Sequence, residues 1–142
     1  PADGDFLIPL GKADIKREGS DISLIAHGAS VLRCLEAADI LANEHNIDAE
    51  VVDLRSIRPL DQDAIIESVK KTNRAVLVDE SKPFCGVSAQ ITTLIQEYAF
   101  DYLDAPVKRV CTIDAPAIYS PHVEQDQLPN AKRIVAQVLT IA

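Results

Sequence analysis

At 142 residues, 47% hydrophobic and 25% charged, the chain has the proportions of one ordinary globular domain, long enough to bury a real core. No apolar run approaches the roughly 20 residues of a membrane helix. A net charge of −8 argues against a nucleic-acid backbone as partner and suits a basic protein partner instead.

The first 20 residues read as a linker with one apolar patch, Phe6 to Leu10, in which Pro9 predicts an edge strand. Lys16-Arg17-Glu18-Gly19 reads as a turn. The domain proper, residues 21–142, opens with a strand over Asp21–Ala26 that ends at His27-Gly28. Val31, Cys34, Leu35, Ala38, Leu41 and Ala42 then recur at spacings of three and four, which predicts a helix over Ser30–His45 with Ser30 as its cap.

The stretch Ala49–Asp61 encodes a strand, a loop and a capped helix within a few residues. Val51-Val52 suits a buried strand, Arg55, Ser56 and Arg58 break it, and Pro59 cannot continue it. Asp61 is placed to cap a helix over Gln62–Lys71, with Leu60 and Ile65 as its hydrophobic staple. Arg74–Asp79 is a continuous apolar strand, as expected where both faces are covered. A helix over Val87–Tyr98 follows, with an apolar stripe of Val87, Ile91, Leu94, Ile95 and Tyr98. Two Asp-Ala-Pro turns bracket a strand over Val107–Ile113, residues 117–128 read as a surface loop, and Pro129 opens a last helix running to Ile141. Ile134, Val135, Val138 and Leu139 form that helix's buried side. Strands alternating with amphipathic helices predict an α/β fold of three layers, α/β/α. Its sheet is mostly parallel, of about five strands, with an antiparallel edge strand.

Ligands of open α/β sheets bind beyond the carboxyl ends of the strands, where His27, Asp53, Asp79 and Asp114 fall here. His27 beside a carboxylate is a candidate acid or base, but polar residues that merely end strands and cap helices are the commoner case. No two of the three histidines have ligand spacing, so no metal site is predicted. Cys85 precedes a helix and reads as a half-buried structural thiol, and Cys34 and Cys111 read as small core residues. These three cysteines form no paired framework, which points to a reducing compartment: the cytoplasm, or the mitochondrial matrix in a eukaryote. Neither GxGxxG, a P-loop nor GxSxG occurs. The chain begins Pro-Ala-Asp-Gly-Asp, shows no basic-then-apolar leader and contains no methionine. It therefore reads as a segment of a longer protein, with no catalytic, cofactor-binding or metal-binding set of its own.

The run AEVVDLRSIRPLDQDAIIESVKKTNRAVLVDES, with IPLGKADIKREGSDISLIAHG and FDYLDAPVKRV, closely resembles the transketolase C-terminal domain family. The likeness is to the form found in β subunits of the decarboxylating components of pyruvate, branched-chain 2-oxoacid and acetoin dehydrogenases, pyruvate dehydrogenase foremost. It is clear over residues 6–116 and weakens over 117–142. It implies a parent enzyme that uses thiamine diphosphate and magnesium, both held between the α subunit and a preceding β-subunit domain. It also implies an α2β2 tetramer, with the present domain supporting the β–β contact.

In the pyruvate branch such a domain docks the basic subunit-binding domain of the dihydrolipoyl acyltransferase. The acidic residue of the family's LDAP motif takes part in that docking and corresponds to Asp104; from the residues alone, Asp104 is a turn aspartate. The terminal carboxylate docks as well in some members, whose tails differ from the one here. Arg55 and Arg58 stand open between two roles, a subunit interface and a loop pinned by carboxylates such as Asp53 and Asp61. The competing expectation is a free-standing flavodoxin-like domain that binds a ligand in the crevice of His27, Asp53 and Asp79.

Overall fold

The computed structural model describes residues 7–142. Five strands form one sheet: β1 (Asp14–Arg17), β2 (Ile22–Ala26), β3 (Ala49–Asp53), β4 (Ala75–Asp79) and β5 (Lys108–Cys111), in the order β1-β3-β2-β4-β5. β1 runs antiparallel to β3, and every other pair is parallel. α1 (Ser30–His45) and α5 (Ala131–Val138) cover one face, α2 (Gln62–Thr72) and α3 (Val87–Tyr98) the other, and the short α4 (Pro121–Gln127) lies outside both.

The period-2 alternation of the strands sorts side chains between two cores. Leu24, Val51, Val76 and Val78 join Cys34, Leu41 and Ile134 on one side. Ile25, Val52 and Leu77 join Ile65, Val69, Ile91 and Ile95 on the other. Each fully buried aliphatic side chain stabilises the fold by about 1.5–3 kcal/mol. The three-layer sheet expected from the sequence is the one observed.

The edge strand is displaced from where its apolar residues pointed. Leu7–Pro9 form no strand, Phe6 lies outside the described residues, and the antiparallel edge is Asp14–Arg17. An edge strand carries charge without penalty, because only one of its sides pairs and its faces meet water. Ion pairs to other elements hold this one in place: Arg17 to Asp39 at 2.6 Å and Asp14 to Arg55 at 2.7 Å.

Asp61 does cap α2: its carboxylate accepts from the Ala64 N–H at 3.4 Å and from the Ala13 N–H at 3.0 Å, so one buried side chain starts the helix and secures the approach to β1. Ser30 is no cap; it is the first residue of α1, buried, with its hydroxyl unpartnered. α4 occupies the stretch read as loop. Gln127 is its one buried residue, so it carries no apolar period, and Pro121 at its first position was the one signal of a helix start. α5 begins two residues later than predicted because Asn130, accepting from the Arg133 N–H at 3.0 Å, is the cap. Its end at Val138 leaves Leu139 45% exposed.

Candidate functional site

His27 and Asp79 end the neighbouring central strands β2 and β4, so the fold brings them together at the carboxyl edge of the sheet. His27 Nε2 lies 3.6 Å from an Asp79 carboxylate oxygen. Asp79, buried, accepts from the Ser81 N–H at 2.9 Å, the Ser81 hydroxyl at 2.6 Å and the Ser88 N–H at 2.9 Å. Burial alone would raise the pKa of this carboxyl, but His27, Ser81 and Ser88 together hold it well below the usual range. The neighbouring Asp79 carboxylate is the main cause that lifts the His27 pKa above 6.5, against the opposing effect of burial.

Asp79 thus ties the β4–α3 loop to the start of α3. Gly86 makes room for it, since a Cβ there would lie 2.3 Å from Ser81 Oγ. With its oxygens engaged by internal donors, Asp79 is a poor ligand for a cation. Asp53, the second acid of this crevice, accepts from the Arg55 N–H at 2.9 Å and lies 3.7 Å from Lys16. Among the described residues no group of three or more His, Cys, Asp or Glu side chains is placed to hold a metal ion. Cys34 and Cys111 are buried as expected, and burial pushes the Cys34 thiol up to about 12. Cys85, expected half-buried, is exposed and has φ of +57°.

The two loop arginines part company. The Arg55 guanidinium donates to Asp14 on the edge strand at 2.7 Å, while its backbone N–H donates to Asp53. Lys16 above all, and then Arg55, hold the Asp14 carboxyl below its ordinary value. Arg58 is exposed and has no hydrogen bond or ion pair among the described residues.

Asp104 lies 60% exposed in the loop between α3 and β5. Its N–H donates to the Asn73 carbonyl at 2.9 Å, and Asn73 Nδ2 donates to the Tyr102 carbonyl at 2.8 Å. Arg74 is 3.7 Å from its carboxylate, too far for a close pair and still within reach. The backbone of Asp104 is therefore fixed while its carboxylate stays open to water.

Sequence reasoning missed the most buried charge. Glu50 on β3 is 1% exposed and meets the ammonium of Lys71 on α2, which also bonds Glu18 at 2.8 Å. Beside it, the buried hydroxyl of Ser23 meets those of Ser68 and Thr72 at 2.6 and 2.7 Å. The sign available beforehand was a glutamate inside an otherwise apolar strand.

Residues 11–134 match the family model described as transketolase, C-terminal domain. The chain belongs to that family. A relative among curated proteins, the mitochondrial pyruvate dehydrogenase E1 component subunit beta of Dictyostelium discoideum, is 44% identical over 133 residues. That match covers 94% of this chain and 37% of the relative. Acetoin:2,6-dichlorophenolindophenol oxidoreductase subunit beta of Bacillus subtilis (strain 168) is 47% identical, over 96% of this chain and 40% of its own. Among solved structures, a split gene transketolase, titled an inactive beta4 tetramer, superposes with a TM-score of 0.81 at 26% identity. It covers 96% of this chain and 43% of that one. The chain spans well under half the length of the curated relatives it matches. No helix among the described residues is long and apolar enough to cross a membrane.

Proposed function

We propose that this transketolase C-terminal domain is the assembly and docking part of the β subunit of a thiamine diphosphate-dependent dehydrogenase acting on pyruvate. Such an enzyme decarboxylates the 2-oxoacid and reductively acetylates lipoyl groups. The observation that carries this reading is the identity of 44–47% to pyruvate and acetoin β subunits over nearly the whole chain. Acetoin turnover is the second reading, favoured by the 47% match to the Bacillus subtilis protein.

The residues described here do not fit thiamine diphosphate or its magnesium, because the strand-end carboxylates of Asp79 and Asp53 are committed to internal partners. The cofactor belongs in our reading to the α subunit and another part of the β subunit, and this domain performs no step on it. Its work is contact. Asp104, exposed on a fixed backbone, presents its carboxylate to the basic subunit-binding domain of the acyltransferase. Arg58 reaches across to a neighbouring subunit, and Arg55 holds the loop's shape through Asp14. A bacterial cytoplasm or a mitochondrial matrix would suit this role equally.

Calorimetric titration of thiamine diphosphate and magnesium into this chain, and into the full β subunit mixed with its α subunit, tests the reading. We expect no heat from the chain alone and saturable binding with pyruvate decarboxylation from the assembly. Binding by the chain alone would favour a ligand-binding domain using the His27 crevice. Within the assembly, Asp104→Ala should weaken binding of the acyltransferase without changing decarboxylation. Arg58→Ala should shift the tetramer toward dimers more than Arg55→Ala does; an unaltered equilibrium in both would remove the arginine assignment.

A further inference from the structure

Every aromatic side chain among the described residues is exposed. Phe84 is 83% exposed, Tyr98 61%, Phe100 61%, Tyr102 47% and Tyr119 100%, while both cores are aliphatic apart from Cys34. Tyr98 was expected on the buried stripe of α3, and it faces water instead. Rings left in water by a fold that does not need them are the groups that gain most from covering, because each buries a large, stiff apolar area.

Three of the five fall between Tyr98 and Tyr102, where α3 ends and a single 3-10 turn, Phe100–Tyr102, leads to Asp104. Tyr98 forms one wall of a groove of about 290 Å³ whose other wall is the outer face of α2, with Ile66 and Lys70. Lys70 Nζ sits 5.2 Å from the centroid of the Tyr102 ring, which joins Tyr102 to the same groove. The Asn73 bonds to Tyr102 and Asp104 lock the turn onto the end of α2 as one unit.

The charge around these rings is acidic: Asp63, Glu67, Glu97, Asp101 and Asp104 are all exposed. Two cations lie among them, Lys70 at 3.6 Å from Glu67 and Arg74 at 3.7 Å from Asp104, and the acids outnumber them. Lys70 also shows that a ring here accepts a cation on its face. A second copy of this chain, at net charge −8, would bring acid against acid.

We propose that Tyr98, Phe100 and Tyr102 are the apolar hot spot of a docking surface for a basic protein partner. The partner's Arg or Lys side chains stack on the rings in place of Lys70 and pair with Asp101 and Asp104. This rests on the docking role proposed above, to which it adds the contact that supplies most of the affinity.

The test uses the full tetramer, titrated with the isolated subunit-binding domain of its acyltransferase. Tyr98→Ala, Phe100→Ala, Tyr102→Ala and Tyr102→Phe are compared with Asp104→Ala, and each tetramer's mass is checked by light scattering. Tyr102→Ala should weaken binding about ten-fold or more, while Tyr102→Phe, which keeps the ring, stays near the parent. Phe84→Ala and Tyr119→Ala should leave affinity unchanged. If Asp104→Ala weakens binding and the three ring truncations do not, this proposal fails and the docking role stands. No binding by the parent tetramer would end both. Ring variants that fall apart into dimers would make this face a subunit contact and overturn the proposal.

Discussion

Replacing Lys71 with alanine leaves Glu50 buried in the sheet without its cation. Glu50 lies on β3, covered by α2, and is 1% exposed, so water reaches its carboxylate only through the mouth that Lys71 fills. Glu18 first, and then Glu50, hold the Lys71 ammonium above its ordinary pKa, as expected of a cation between two carboxylates. Removing one partner of a buried pair costs about 3–5 kcal/mol. The Lys71 side chain is 44% exposed, so solvent reaches the mouth of this site and the lower end, about 3 kcal/mol, applies. For a domain of this size about 4 °C accompanies each kcal/mol, which predicts a Tm lower by about 12 °C. Urea and thermal unfolding of Lys71→Ala measure this directly, with Lys132→Ala on the exposed side of α5 as the control. Glu50→Leu combined with Lys71→Leu should return to within about 1 kcal/mol of the parent, because replacing both charges leaves no orphan. A Lys71→Ala loss no larger than that of Lys132→Ala, within about 0.5 kcal/mol, would refute the reasoning.

The His27 pair predicts a pH effect of definite sign. Because the folded pKa of His27 lies above 6.5, its stabilisation is complete below that value and fades as pH rises through the folded pKa. The parent Tm should therefore fall between about pH 6 and pH 8, and His27→Asn should flatten that slope. Gly86→Ala forces a Cβ against Ser81 Oγ at 2.3 Å and the Lys82 carbonyl at 2.5 Å. It should cost about 1–3 kcal/mol in urea unfolding. Gly28→Ala meets open space but keeps φ at +60°, and about 1 kcal/mol is expected there. Of the three thiols, Cys85 should react at once with a thiol reagent in the native protein, whereas Cys34 and Cys111 react only on unfolding.

Much of this architecture was legible where local chemistry and tertiary packing agree. The period of α1 and the stripe of α3 placed both helices to the residue, and Asp61 announced the start of α2 because a carboxylate there has free N–H groups to accept from. α4 was not legible, since a helix held by its ends carries no apolar face to read. The edge strand was misplaced for a related reason: Phe6–Leu10 offered apolar residues, but an edge is built from backbone pairing and tolerates the charges of Asp14–Arg17. Asp104 was reached through likeness to a family. For Arg55 and Arg58 the structure adds only that the first pairs with Asp14 and the second is exposed.

Sequence alone determined the three-layer order and the parallel run of the central strands, because these follow from periodicity and short connections. Tertiary structure decided everything that depends on residues far apart in the chain. Glu50 meets Lys71 across 21 positions, Arg55 finds Asp14 across 41, and Lys70 comes to lie over the ring of Tyr102. It also decided that the aromatic rings stay outside. Whether a side chain is core or contact surface depends on what packs against it, and no local pattern records that.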